Sequence, residues 1–362
     1  MSKRLLVYGP TGFTGKLIAA QAKAKGVPLT LAGRNGRRVQ AVAEPLGFPW
    51  LALGLDDAAR LDEALRPFDA VLNIAGPFAE TAQPLAQACL RTGTHYLDVT
   101  GEPNVFADLA RLDERARARG VMLMPGVGFV VLATDCLAAH AASRLPGASH
   151  LRLGFNSTDA ISRGTLRTAM DQVVGTAATL REGRLVEAPL GRLEHWFDYG
   201  QGMRASIALT WADLFTAPHT TGIPSVEVYA EAGVLTRNFF VLCGLFAAPL
   251  KSRPARLLMA AQAKLWPEGP SQAKRGKAPR VLVAEVEDRG RRKLISRLHT
   301  PDGYDFTAPA ALAVAEQVLA GHFLPGFQTP GKVYGADFVL SLPGVRREDL
   351  DGYSRPLPTP AQ

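Results

Sequence analysis

From Arg4 onward, short apolar runs alternate with amphipathic stretches, and the rhythm predicts strands and helices in turn. Arg4 to Tyr8 is an apolar run that ends in a glycine-rich turn, and Gly15 to Lys25 has helical spacing. Strands are expected at Pro28–Ala32, Trp50–Leu53, Asp69–Ile74, Thr94–Val99 and Val121–Met124. Helices are expected between them at Gly36–Leu46, Asp57–Leu65, Thr81–Arg91 and Asn104–Arg119. Asp69–Ile74 is apolar almost throughout, as suits a parallel strand covered on both faces. Six strands separated by helices imply a doubly wound parallel sheet of the Rossmann kind, with right-handed crossovers.

After about Gly126 the pattern changes. Leu132 to Ser143 is expected as a long linking helix. Leu151, Leu153 and Phe155 then alternate with polar residues, as do Ala205, Ile207 and Leu209. Val226, Val228 and Tyr229 follow a proline turn, and the runs Val281–Val286 and Leu294–Leu298 flank a basic, glycine-containing turn as a hairpin would. Strands without regular intervening helices point to an inserted α+β second domain with an antiparallel or mixed sheet. The tail holds one strong helix, Ala308–Ala320, followed by Pro- and Gly-rich segments with little periodicity. The expected division is residues 1–130, completed by 305–362, for the α/β dinucleotide-binding domain and 131–304 for the second.

The turn after the first strand carries the strongest chemistry. Gly9-Pro10-Thr11-Gly12-Phe13-Thr14-Gly15 sets three glycines at GxxGxxG spacing between a strand and a helix. The first allows a tight turn, the second lets a pyrophosphate approach the backbone, and the third lets helix and strand pack closely. Free N–H groups at the helix start, with the Thr11 and Thr14 hydroxyls, complete an anion cradle. The second strand ends Ala32-Gly33-Arg34-Asn35, followed by Arg37 and Arg38, with no carboxylate to receive a ribose 2′-hydroxyl. Guanidinium groups there suit a 2′-phosphate, so NADP(H) is the expected cofactor. Asn73-Ile74-Ala75-Gly76-Pro77-Phe78 closes the fourth strand beside the expected switch point. The expected cofactor contacts are Gly9, Thr11, Gly12, Phe13, Thr14, Gly15, Arg34, Arg37, Asn73, Ala75, Gly76 and Pro77.

Catalytic chemistry is less plainly written. His95, Tyr96, Asp98 and Glu102 lie at or just after the fifth strand, where a carboxyl-end site would be. Asp98 and Glu102 have a structural alternative as caps of the helix starting near Asn104. His219, flanked by Pro218 and Thr220, is expected in a second-domain loop and is titratable at neutral pH. The candidates are His219, Asp98 and Tyr96. No tyrosine has a lysine four residues on, which removes the short-chain dehydrogenase mechanism, and HExxH and GxSxG are missing. No metal site is expected.

Composition adds limits. The chain has 362 residues, enough for two domains, and 47% of them are hydrophobic against 20% charged, a globular composition. Three scattered cysteines, Cys89, Cys136 and Cys243, fit a reducing cytoplasm better than a disulfide framework. The net charge of +8 is spread out, with one basic stretch from Lys274 to Lys293 that lacks interleaved aromatics, so nucleic acid is not an expected partner. Asn238–Trp266 mixes Phe239, Phe240, Leu242, Leu245 and Phe246 with Lys251, Arg253 and Arg256. A buried helical pair, a homodimer contact and a peripheral membrane or acyl-group contact all remain open readings of it.

Four stretches together resemble the saccharopine dehydrogenase-like oxidoreductases. They are Gly9–Gly15, Leu31-Ala32-Gly33-Arg34, Asn73–Phe78 and Gly93-Thr94-His95-Tyr96-Leu97-Asp98-Val99-Thr100-Gly101-Glu102. The nearer branch is the one with the eukaryotic saccharopine dehydrogenase-like proteins and the mycobacterial trans-acting enoyl reductases. Ser162–Thr165, Thr216–Pro224, Thr329-Pro330 and Tyr334–Phe338 are similar to that branch too. The resemblance implies an NADP-type Rossmann domain onto which the C-terminal segment folds back, and an inserted mixed-sheet substrate domain. It also implies reduction of a C=C or C=N bond in a small molecule, with a hydrophobic or lipid-like substrate favoured. The contrasting possibility is an NADP(H)-binding regulatory or scaffold protein without turnover.

Overall fold

A computed structural model describes residues 4–156, 176–245, 269–275 and 279–350. The first half alternates as its apolar periodicity requires: β1 (Leu5–Tyr8), α1 (Phe13–Lys25), β2 (Leu29–Gly33), α2 (Gly36–Ala43), β3 (Trp50–Ala52), α3 (Ala58–Leu65), β4 (Ala70–Asn73), α4 (Phe78–Thr92) and β5 (His95–Asp98). α5 (Pro103–Ala110), α6 (Asp113–Ala118) and β6 (Met122–Met124) follow, then a turn of π-helical geometry at Phe129–Ala133 that runs into α7 (Thr134–Arg144). The expected single helix from Asn104 to Arg119 is therefore two helices. Arg111 and Leu112 break it, and Leu112 turns its side chain into the core.

The second sheet draws on β7 (Ala148–Phe155), β8 (Thr176–Arg181), β9 (Arg184–Pro189), β10 (Glu194–Asp198) and β11 (Met203–Ala208). After α8 (Asp213–Thr221) come β12 (Ser225–Glu231), α9 (Val234–Leu245), α10 (Gln272–Arg275), and the hairpin of β13 (Arg280–Asp288) and β14 (Lys293–Thr300). The chain then returns through α11 (Gly303–Leu319), β15 (Gly326–Phe327), α12 (Pro330–Tyr334) and β16 (Arg346–Asp349).

Among the described residues, seven strands form the first sheet in the order β15-β6-β5-β4-β1-β2-β3, all parallel. Six of them were expected. The seventh, β15, comes from the tail, where two residues are too few to leave a periodic signature. The order reverses between β1 and β4, the switch point of a doubly wound sheet. The second sheet runs β10-β11-β12-β7-β13-β14-β16, with β8 and β9 attached through β12. It is mixed because β12 lies parallel to β7 while its other pairs are antiparallel. β16 is a second tail strand with no alternation to announce it, and it pairs with β14.

α11 fits the two units together. Ten of its side chains are buried, and it packs along α1 and onto β4 and β5. One apolar cluster continues from Leu5, Val7 and Leu72 in the parallel sheet through α7 and α11 to Leu151, Val226 and Leu282 in the second. No helix among the described residues is long and apolar enough to cross a membrane.

Candidate functional site

The three glycines of the first turn do different work. Gly9 has φ +92°, and a Cβ on it would lie 2.7 Å from the Ala75 nitrogen. Its N–H donates to the Ala32 carbonyl at 2.8 Å. A Cβ on Gly15 would lie 2.7 Å from the Gly9 carbonyl oxygen, so α1 needs a glycine there to seat against the turn. Gly12, the residue before α1, faces open space: a Cβ on it would meet nothing within 4 Å, and no side chain caps the helix. Helix-start N–H groups are thus left for an anion. The cradle fits a pyrophosphate.

At the end of β2, Arg34, Arg37 and Arg38 are exposed and no acidic side chain occupies the strand end. Asn35 shapes the turn by accepting the Arg38 N–H at 3.1 Å and capping α2. Arg34 lies near enough to Tyr8 for its charge to act on that phenol.

The turn after β4 is set by Asn73. Its side-chain oxygen accepts from Ala75 N at 3.0 Å, and its amide donates to the Thr81 and Tyr96 hydroxyls at 3.0 and 3.1 Å. Gly76–Pro77 is a cis peptide, and Pro77 precedes α4. Residues two apart on a strand share a face, so Tyr96 and Asp98 both meet β4, where Asp98 pairs in register with Asn73. The Tyr96 hydroxyl donates to Asp98 Oδ2 at 2.8 Å, and Asp98 Oδ1 accepts from Thr100 N and Gly126 N, each at 2.9 Å. Both side chains are fully buried. Burial pushes Asp98 up to about 7 against the pull of the two backbone N–H groups and the Tyr96 hydroxyl, and it raises the Tyr96 phenol well above its usual range.

Glu102 caps a helix, but not the one beginning near Asn104. Its carboxylate accepts from Phe78 N at 3.0 Å and Ala79 N at 2.9 Å, at the start of α4. Asp98 caps no helix. His95 accepts from Met122 N at 3.1 Å through Nδ1 and packs against Phe323 with the rings tilted by 46°. The Thr94-to-Glu102 stretch therefore knits β5 to β4, β6 and α4.

His219 is on α8 rather than in a loop. Its ring meets Phe327 edge-on at 5.2 Å, and Lys332 Nζ lies 3.2 Å from Nε2. Desolvation, then the Lys332 charge, lowers its pKa. Four strand intervals separate β15, which carries Phe327, from β1, roughly 19 Å at the usual strand spacing. His219 shares no hydrogen-bond partner with Tyr96 or Asp98.

Sequence reasoning missed a group at the junction of the two units. Phe13 meets the Tyr304 ring edge-on at 5.1 Å and has the Arg275 guanidinium over its face at 5.4 Å. Arg275 pairs with Asp305 at 2.8 Å, and Arg280 sits over Phe129 at 5.9 Å. The acidic start of the tail helix was the one available signal.

Residues 5–124 match the family described as the Saccharopine dehydrogenase NADP binding domain. That match spans the parallel sheet from β1 to β6, about a third of the chain. A saccharopine dehydrogenase-like oxidoreductase of Mus musculus is 31% identical over 36% of this chain and 35% of that protein. The chain thus matches only about a third of that relative's length. A trans-acting enoyl reductase of Mycobacterium ulcerans is 25% identical over 94% of this chain and 95% of its own. In structure, apo saccharopine dehydrogenase (L-Glu forming) from Saccharomyces cerevisiae superposes with a TM-score of 0.65 at 13% identity. It covers 96% of this chain and 100% of that one, a likeness of fold. Ser162–Thr165 and the part of Asn238–Trp266 beyond Leu245 lie outside the described residues.

Proposed function

We propose that the protein is an NADP(H)-dependent oxidoreductase that reduces a C=C or C=N bond in a hydrophobic or lipid-like substrate. The open side of Gly12 at the uncapped start of α1 carries the cofactor half of this reading. Gly9, Thr11, Phe13, Thr14 and Gly15 surround the pyrophosphate, Arg34 and Arg37 meet the 2′-phosphate, and Asn73, Ala75, Gly76 and Pro77 form the wall beyond. Bound NADPH supplies a hydride; this chain's residues orient it and exclude water. The enoyl reductase relative supports the C=C alternative.

Val234, Phe239 and Leu242 on α9 are exposed and favour a lipid-like substrate surface, peripheral membrane contact or a homodimer seam. Titration of purified protein with NADPH and NADH, followed by a screen of enoyl and imino compounds for NADPH oxidation, tests the reading. Tighter binding of NADPH and turnover in one class support it; equal binding of both cofactors removes the role given to Arg34. A non-catalytic NADP(H)-binding regulator is the second reading. It is favoured by the full burial of Tyr96 and Asp98, whose hydrogen bonds are internal. Cofactor binding without turnover in either class would select it.

A further inference from the structure

Two inward-facing groups of opposite charge stand close together at the junction without pairing. Asp302, the residue before α11, is 2% exposed. Its Oδ1 accepts from Tyr304 N at 2.9 Å, whereas Oδ2 is buried with no hydrogen-bond partner. Arg280, the first residue of β13, donates through Nη1 to the Asn156 carbonyl at 3.1 Å, and its Nε is likewise buried and unpartnered. Each feels the other's charge, yet no ion pair joins them. Arg275 and Asp305, the neighbouring charges, satisfy one another. A buried donor and a buried acceptor without partners are costly, and natural proteins seldom keep them without a use.

Their place in the fold suggests that use. Phe129, under the Arg280 guanidinium, follows the carboxyl end of β6, and its N–H donates to Thr307 Oγ1 of α11 at 3.1 Å. On the other side, Tyr304 touches Phe13 of the phosphate turn. Arg280 and Asp302 thus both adjoin Phe129, just past the carboxyl end of β6, with Tyr304 linking them to the phosphate turn. Gly128 and Gly303 let the segments around Phe129 pack closely: a Cβ would lie 2.9 Å from Thr307 on the first and 3.2 Å from Phe129 on the second.

We propose that Arg280 and Asp302 together recognise the carboxamide of the nicotinamide ring, Arg280 Nε–H donating to its carbonyl and Asp302 Oδ2 accepting from its amino group. A primary amide is a neutral group that offers an acceptor and a donor side by side, the complement of this pair. A substrate carboxylate would gain from Arg280 but be repelled by Asp302, so the pair favours the amide. Arg280 and Asp302 are thus positioning residues for the reacting ring. The inference rests on the cofactor reading above.

Calorimetric titration of the full chain with NADP+, with 2′,5′-ADP (which lacks nicotinamide) and with the 3-acetylpyridine analogue of NADP+ (which lacks the amino group) tests it. Asp302→Asn keeps the helix cap but turns the acceptor into a donor, and Arg280→Met keeps the bulk without the N–H. Wild type should prefer NADP+ to the acetylpyridine analogue by about tenfold. Asp302→Asn should bring that ratio close to one, and both variants should bind NADP+ about tenfold more weakly with 2′,5′-ADP unchanged. Unchanged NADP+ affinity, or an equal loss for NADP+ and 2′,5′-ADP, would overturn the assignment. Failure of wild type to bind 2′,5′-ADP at all would overturn the cofactor reading itself, and this one with it.

Discussion

The α-carbon of Gly9 is packed against the backbone of Ala75, leaving a Cβ only 2.7 Å from the Ala75 nitrogen. That approach couples the turn after β1 to the turn after β4. A run of hydrogen bonds continues the connection from Ala75 through Asn73 and Tyr96 to Asp98. The rim of the cofactor cradle is thereby tied to β5.

Gly9→Ala should be destabilising on two grounds, the left-handed φ and the collision with Ala75. A cost of about 2–4 kcal/mol is expected in urea denaturation, combining backbone strain with overpacking. NADP+ affinity should fall even at temperatures where the variant is folded. Gly12→Ala has room for its methyl group in the apo protein, so it should leave stability within about 0.5 kcal/mol while weakening NADP+ binding.

Tyr96→Phe removes the hydroxyl that donates to Asp98 and accepts from Asn73, leaving buried groups short of a partner. A loss of about 1–3 kcal/mol is expected by chemical denaturation. Asp98 would also lose a donor that lowers its pKa, so its midpoint, seen by carboxyl carbon NMR, should rise above the value of about 7. A downward shift would contradict the hydrogen-bond direction.

Asp213 on α8 is fully buried, and neither of its carboxylate oxygens has a partner of good geometry. The nearby Thr134 hydroxyl is aimed at the Val130 and Val131 carbonyls at 3.2 and 3.0 Å. Burial first, and the charge of Asp135 in addition, push Asp213 up to about 8. Its folded pKa lies above the unfolded value, so the folded state holds a proton that the unfolded state releases. The stability it contributes is complete below about pH 4 and is lost as pH rises towards 8. Asp213→Asn should flatten that part of the profile and be the more stable protein at pH 8.5, by about 1 kcal/mol or more. Equal slopes in thermal melts between pH 5 and 8.5 would argue against a protonated Asp213.

Arg34→Ala should cost NADPH about tenfold or more in affinity, the worth of a charged hydrogen bond to a phosphate, while NADH changes little. Competitive titration of the two cofactors measures it. A parallel loss for both would mean that Arg34 meets the adenine rather than the 2′-phosphate.

Glu102→Ala should unfasten the start of α4. Two backbone N–H groups would lose a charged acceptor, for about 1–2 kcal/mol in thermal denaturation. Glu102→Gln retains one acceptor and should recover part of the loss.

Local pattern was enough to determine β1 to β6, the tight turn at Gly9, the close helix seat at Gly15 and the guanidinium-rich end of β2. Each depends on residues close in sequence, through apolar periodicity, on the space a missing Cβ leaves, or on which side chains follow a strand. Pairing between distant residues was not legible in that way. β15 and β16 exist because the tail meets edges already built. Glu102 stood in the sequence as a possible cap of the Asn104 helix that follows it, and the fold turned it to α4 instead. Asp98 and Tyr96 looked like open-cleft chemistry because they stand at a strand's carboxyl end, but the register with Asn73 buried them. Likewise His219 gained Lys332 and Phe327 as neighbours only when the tail crossed α8. Arg280 and Asp302, 22 positions apart and on different elements, become a donor–acceptor pair only because α11 brings the chain back to the first sheet. The amino-acid order alone determined the cradle, since backbone conformation there is local, and tertiary packing decided what faces it, since burial and partnership come from segments far apart in the chain.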